Sequence, residues 1–193
     1  MVATYSLFYI MTAFAQAYSR TPATLSEAGY PMGLGIPANT FTGLLLMSAI
    51  VFAIFISISG LYADKIGRRK WLIWTTVSIL IFALCMPLFL GNGTPTSVFA
   101  FLVIGMALMG MTFGPMAALL PELFPTEVRY SGASLAYNIA SIIGATIAAM
   151  ISLKINALYG LMGVGIYLAI NAFLTLLALL ASKETKNVDL TQI

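Results

Sequence analysis

Residues 71–121 read WLIWTTVSILIFALCMPLFLGNGTPTSVFAFLVIGMALMGMTFGPMAALLP, fifty-one positions without a charged side chain. As one helix the run would extend about 75 Å at 1.5 Å per residue. A bilayer's hydrocarbon core is only about 30 Å thick. The run must therefore fold back on itself, and Gly91-Asn92-Gly93-Thr94-Pro95 carries the turn chemistry to do so. One stretch thus predicts two antiparallel membrane spans.

The rest of the chain repeats the pattern. Charge-free stretches also cover residues 1–19, 28–63, 130–153 and 155–182. Charged residues make up 8% of the chain, against about 25% in soluble domains, and mean hydropathy is +1.00. Pro31, Gly33, Gly35 and Pro37 break the second stretch early, so its span begins near Thr40. The reading is an all-α membrane protein with spans at 2–19, 40–60, 71–90, 97–120, 132–153 and 160–181. These form one domain over 1–182, followed by a cytoplasmic tail at 183–193. Short connections make consecutive spans antiparallel. Six spans then divide into two triples, the second inverted relative to the first, as in inverted repeats.

Where the charges fall orients the chain. Lys65, Arg68, Arg69, Lys70, Arg129, Lys183 and Lys186 fall on one face, against Arg20 and Lys154 on the other. The basic face is expected to be cytoplasmic, with both termini on it. Trp71, Trp74 and Tyr130 sit near one interface and Tyr18 and Tyr159 near the other, as interfacial anchors do. Ala15-Gln16-Ala17 resembles a signal-peptide cleavage site, but no positive charge precedes it.

Several chemistries are excluded. The chain has no histidine, one cysteine (Cys85) inside an apolar run, and two aspartates, Asp64 and Asp189. No histidine-based catalytic or metal site can form, no intrachain disulfide is possible, and no cofactor or metal is expected. A net charge of +3, dispersed along the chain, makes no case for nucleic acid.

Two turns concentrate the polar chemistry. Gly60-Leu61-Tyr62-Ala63-Asp64-Lys65-Ile66-Gly67-Arg68-Arg69-Lys70 joins the second and third spans. Gly60 and Gly67 can supply close helix approach and a positive-φ turn. Asp64 is an acceptor among donors, although four bases also satisfy positive-inside bias alone. Pro121-Glu122-Leu123-Phe124-Pro125-Thr126-Glu127-Val128-Arg129 follows the fourth span, with Pro121 and Pro125 expected to end that helix. Acids in one turn and bases in the other, on one face, can pair across helices and act as a latch. An isolated surface pair is worth only about 0–1 kcal/mol, so the latch needs the whole cluster.

At these segments the chain resembles the major facilitator superfamily. Gly60, Ala63, Asp64, Gly67, Arg68 and Arg69 match its G-x-L-A-D-R-x-G-R-R signature, with Tyr62 and Lys65 as departures. Residues 121–138, PELFPTEVRYSGASLAYN, are similar to the metabolite:proton symporter family of shikimate, proline/betaine and α-ketoglutarate permeases. The resemblance covers the whole chain but only the carboxyl-terminal six helices of a twelve-helix transporter. It implies proton-coupled uptake of a small polar metabolite by alternating access. The partners implied are membrane lipid, the substrate and an amino-terminal half, missing or separate. It also implies a cytoplasmic gating network containing Gly60, Asp64, Gly67, Arg68, Arg69, Glu122 and Arg129, in a bacterial inner membrane.

Candidate substrate-facing residues come from helix geometry. Tyr5, Tyr9, Thr12 and Gln16 share one arc of the first span, and Ser134, Asn138 and Ser141 one face of the fifth. Such polar faces line a cavity or hydrogen-bond between helices. Gly132, Ala136, Ala140, Gly144 and Ala148 recur every four residues, a stripe expected to pack. Gly105, Gly110, Gly114 and Pro115 are expected to bend or loosen the fourth span. No span contains an ionisable Asp, Glu, Lys or Arg, so a proton relay, which normally uses intramembrane ionisable residues, would have to lie in the other half. A six-helix channel or a non-transporting remnant is the alternative. Water channels use two Asn-Pro-Ala elements, and Pro37-Ala38-Asn39 has the wrong order.

Overall fold

The computed structural model describes residues 1–182, with 145–147 as backbone alone; the tail at 183–193 lies outside the described residues. Six helical segments account for most of the chain. α1 (residues 2–20) consists of Val2–Tyr9, a π-helical segment Ile10–Phe14, and Ala15–Arg20. α2 is Ala38–Ile66. α3 (residues 68–90) is Arg68–Leu84 continued, after Cys85, by Met86–Leu90. α4 is Pro95–Glu122, with the Thr94 hydroxyl accepting from the Ser97 amide at 3.3 Å as its N-cap.

The last two helices form a nearly continuous run. Arg129–Ser141 passes through a second π-helical segment, Ile142–Ile147, into Ala148–Ala181. Gly160, at φ 68 and ψ −171, is non-helical and divides this run into α5 (129–159) and α6 (161–181). A side chain there would be strained by the backbone conformation, and its Cβ would also strike the Tyr30 ring. By length and composition, α2, α4 and the run Arg129–Ala181 are each apolar enough to cross a membrane.

The bundle has two distinct ends. At the charged end lie the α2–α3 turn, the α4–α5 turn and the end of α6. At the other end residues 21–37 form a folded loop, closed by the Leu25–Pro31 bridge. The Leu34 amide donates to the Tyr18 carbonyl (3.1 Å), the Ile36 amide to that of Ser19 (2.7 Å), and Asn156 Nδ2 to that of Pro31 (2.9 Å). The loop is therefore fastened to both α1 and α5.

The α2–α4 contact is the most extensive in the bundle, and glycine makes it possible. A Cβ on Gly110 would lie 2.7 Å from the Phe52 carbonyl oxygen and 2.8 Å from Phe55 Cβ, and Gly114 meets Ile56 and Ser59 equally closely. Ser59 shares its hydroxyl proton between the carbonyls of Ile56 (2.9 Å) and Gly110 (3.0 Å). α4 is helical throughout, with Pro115 and Pro121 inside it, and Gly110 and Gly114 let it dock on α2. α4 passes through Pro121 and ends at Glu122, ahead of Pro125.

α1 packs on α5 in the same fashion, with Gly144 against Val2, Tyr5 and Ser6. α6 runs antiparallel to both α1 and α3. Asn171 Nδ2 donates to Ser6 Oγ (3.1 Å) and the Ala3 amide to Thr175 Oγ1 (3.3 Å). On the α3 side Gly165 abuts the Ala83 carbonyl. The core, including Leu7, Met11, Phe14, Phe82, Phe101, Leu102, Val164 and Leu168, is buried where α1, α3, α4 and α6 meet. In contrast, α2 leaves Leu46, Met47, Ile50 and Ile54 exposed, as a helix face in contact with lipid would be.

Candidate functional site

The charged end is assembled by one glycine. Gly67, at φ 112 and ψ 129, is the sole residue between α2 and α3, a conformation that disfavours any side chain. So short a turn leaves Asp64 in the last turn of α2 and Arg68 at the first position of α3. Arg68 Nε donates to Asp64 Oδ1 at 3.1 Å, while Nη1 donates to Glu122 Oε1 at the end of α4. One guanidinium thereby joins three helix ends. The fork geometry of arginine suits this role, since its donors diverge in a plane.

The two arms are unequal. Asp64 keeps 64% of its side-chain surface exposed, whereas Arg68 keeps 20% and Glu122 14%. The Arg68–Glu122 arm is thus the drier and stronger. The Glu122 hydrogen bond, against the opposing cost of burial, raises the Arg68 pKa and keeps the guanidinium charged. Glu122 Oε2 is buried without a protein partner.

Neighbouring groups hold this centre in place. Trp71 stacks on Tyr62 (ring centroids 5.8 Å apart) and donates from Nε1 to the Met111 carbonyl at 2.9 Å. Arg69 turns the other way, donating from Nε to the Leu179 carbonyl (2.8 Å) and from Nη2 to that of Leu180 (2.7 Å). It satisfies the last carbonyls of α6, where positive charge also complements the helix dipole. Arg129 bonds within its own turn, to the Phe124 carbonyl (3.4 Å) and Thr126 Oγ1 (3.2 Å). Of the two glycines read from the α2–α3 signature, Gly67 makes the turn. A Cβ on Gly60 would meet nothing within 4 Å, and close approach near it is provided by Gly114 instead.

The polar faces of α1 and α5 lie on two helices in contact. Tyr5, Tyr9, Thr12 and Gln16 are all partly exposed, in contrast to the buried Leu7, Met11, Phe14 and Tyr18 between them. Ser134 and Asn138 are exposed and Ser141 partly so, with Asn138 Nδ2 donating to the Ser134 carbonyl at 2.8 Å. Thr12 Oγ1 is satisfied by the Phe8 carbonyl at 2.8 Å. These side chains carry hydroxyl and amide groups that can donate and accept hydrogen bonds. Along the neighbouring stripe Ala140 and Ala148 are buried, and Gly132 lies against the Phe124 ring.

The cross-helix bonds of Ser59, Trp71 and the Ser6–Asn171 pair escape the sequence reading. Each reaches an atom 40 to 165 residues away, and no local pattern announces such a partner. The π segments in α1 and α5 are likewise without a sequence signal.

Comparison with known proteins gives the family. Residues 33–193 match the sugar (and other) transporter family. A putative metabolite transport protein of Haemophilus influenzae is 86% identical over all of this chain and 44% of its own length. The inner membrane metabolite transport protein YhjE of Escherichia coli is 52% identical over 98% of the chain and 42% of its own length. A proline/betaine transporter of Salmonella typhimurium is 32% identical over 75% of the chain and 29% of its own length. The chain thus spans less than half the length of these relatives, and no solved structure matches it. Family and relatives are transporters, not enzymes. Signature turns, an all-helical bundle and the family match together make this chain a member of the sugar (and other) transporter family of the major facilitator superfamily.

Proposed function

We propose that this chain is the carboxyl-terminal half of a permease that moves a small polar metabolite, an organic acid or a zwitterion, across the bacterial inner membrane by alternating access. Six helices cross the membrane, and both termini face the cytoplasm with the charged end. The half rocks as a unit against an amino-terminal half, and substrate binds where they meet. Tyr5, Tyr9, Thr12 and Gln16 on α1, with Ser134, Asn138 and Ser141 on α5, face that cavity. Proton coupling, where the whole transporter has it, draws on ionisable groups of the other half.

The observation that carries the reading is the Arg68 bridge between Asp64 and Glu122, because it ties α2, α3 and α4 into one body at the cytoplasmic face. The packing pattern supports two inverted repeats. Exchanging α1 with α4, α2 with α5 and α3 with α6 converts the α2–α4 contact into α5–α1, and α3–α4 into α6–α1, all of which occur. Both exchanged contacts place a glycine, Gly110 or Gly144, against the facing backbone.

The test is co-reconstitution. Proteoliposomes containing this chain with the amino-terminal half of the 86%-identical relative should accumulate radiolabelled betaine, proline or a dicarboxylate, and neither half alone should. Failure of the assembled pair to move any member of a panel of organic acids and zwitterions would remove the transport claim.

A further inference from the structure

The helices around the start of α1 run past it toward the charged end. The Ala3 amide donates to Thr175 Oγ1 (3.3 Å) and Asn171 Nδ2 to Ser6 Oγ (3.1 Å), so α6 lies antiparallel to α1 and continues beyond this level to Ala181. Gly144 of α5 lies against Val2, yet α5 starts at Arg129, about 22 Å of helix nearer the charged end. α3 and α4 also reach that end, at Arg68 and Glu122.

Beyond the first turn of α1 these neighbours enclose a cavity of about 450 Å³. Leu72, Met116, Leu120 and Ala178 line it from α3, α4 and α6, with Met1 to Thr4 at one end. Its lining follows α6 from Asn171 to Ser182, and so continues the line of α1. Thr76, Thr112 and Thr175 in its wall donate their hydroxyl protons within their own helices, to the carbonyls of Leu72 (2.7 Å), Met109 (2.8 Å) and Asn171 (2.9 Å). Such a wall suits an apolar occupant: an apolar cavity stays dry, and unfilled volume costs stability in proportion to its size.

The start of α1 says which apolar occupant. Its N-cap residue, Met1, makes no side-chain hydrogen bond, although Ala3 and Thr4 are buried. The first amides of a helix have no partner within it, and Thr175 takes only that of Ala3. Carbonyls of a preceding helical turn supply the acceptors these amides need, whereas a lipid tail has none. We propose that the cavity seats about two further, apolar turns of α1, supplied by the segment that joins this half to the amino-terminal half. The length follows from α6, which rises about 10 Å between Thr175 and Ser182. The source of the segment rests on the half-permease reading, and the relatives, of which this chain spans less than half, have the length to provide it. Seated there, it brings α1 to the level of Leu179 and Leu180, where Arg69 holds the end of α6. Tyr5, Tyr9 and the connection between the halves then lie on one helix.

The test compares three forms in one detergent by thermal unfolding. These are the chain as it stands, the chain preceded by about eight residues taken from the matching upstream position of the 86%-identical relative, and the chain preceded by an equal length of alternating glycine and serine. The relative's residues should raise the melting temperature by several degrees over the glycine-serine form. Ala178→Leu adds a second readout. Without the extension it fills the cavity and raises the melting temperature; with the extension it overpacks the seated helix and lowers it. Equal melting of the two extended forms, or a shift of the same sign for Ala178→Leu in both backgrounds, overturns the proposal. Transport by the co-reconstituted halves is scored separately: a pair that carries substrate while the extension gives no gain removes this inference alone.

Discussion

Replacing Gly110 by alanine should damage the α2–α4 seam, and a second glycine of the same seam helices provides the control. Both Gly110 and Gly43 lie inside helices. Either substitution gains about 0.5–1 kcal/mol from the lower conformational cost of alanine in a helix. What differs is space. At Gly43 an added Cβ meets nothing within 4 Å, whereas at Gly110 it meets the Phe52 carbonyl oxygen at 2.7 Å, Phe55 Cβ at 2.8 Å and the Ile56 amide nitrogen at 3.1 Å. Two of these atoms are backbone, so no side-chain rotation relieves the clash and α4 must move away from α2. Overpacking of this kind costs about 1–3 kcal/mol, and withdrawal also lengthens the Ser59–Gly110 hydrogen bond, 3.0 Å in the structure. The propensity gain cancels between the two variants. Gly110→Ala should therefore melt below Gly43→Ala by about 2–12 °C, at roughly 2–4 °C per kcal/mol for a chain of this size. Thermal unfolding of both proteins in the same detergent, followed by circular dichroism, reads the difference. Equal melting temperatures, or a more stable Gly110→Ala, would refute the claim that glycine at 110 is required by backbone contact.

Two further outcomes follow from the charged end. Arg68→Ala should destabilise the chain by about 1–3 kcal/mol, between the values for exposed and fully buried pairs. Asp64→Asn, whose side chain is 64% exposed, should cost no more than about 1 kcal/mol; chemical denaturation of both variants measures the ratio, and comparable losses would contradict the inequality of the two arms. Arg69→Gln removes the fork that holds the Leu179 and Leu180 carbonyls, so amide hydrogen exchange at the end of α6 should quicken while α2 is unaffected.

Much of the charged end is legible because its chemistry is local in sequence. Gly67, Asp64 and Arg68 fall within five residues, and the positive-φ turn that brings them together is a property of that segment. The fold-back near residues 91–94 is equally local, since Gly93 takes φ 66 and Thr94 caps the next helix. What escapes are decisions made between helices. Gly110 and Gly114 read alone suggest a loosened helix; only the partner backbone, with Phe52 and Ser59 in place, reveals that they fit a contact. Arg69 resembles Arg68 in sequence, but adjacent positions on a helix point about 100° apart. One arginine therefore meets α4 and the other the end of α6.

The distribution of regular and irregular backbone separates the helices into two kinds. α2, the start of α3 and α4 are joined by a glycine seam, the shared Ser59 proton, the Trp71–Met111 bond and the Arg68 bridge. These contacts extend from mid-helix to the charged end, so movement of one of the three carries the others. α1 and α5 have a different character: each contains a π segment, at Ile10–Phe14 and Ile142–Ile147, and each presents a polar face that its own bundle leaves open. A π segment inserts a residue into the helical register and is common where helices bear function. It rotates the residues beyond it relative to those before, so Tyr5 and Tyr9 on α1 precede the change of register and Gln16 follows it. Under the half-permease proposal, the polar faces offered to substrate lie on the two helices that carry π segments, while the contacts that would move α2, α3 and α4 together lie elsewhere.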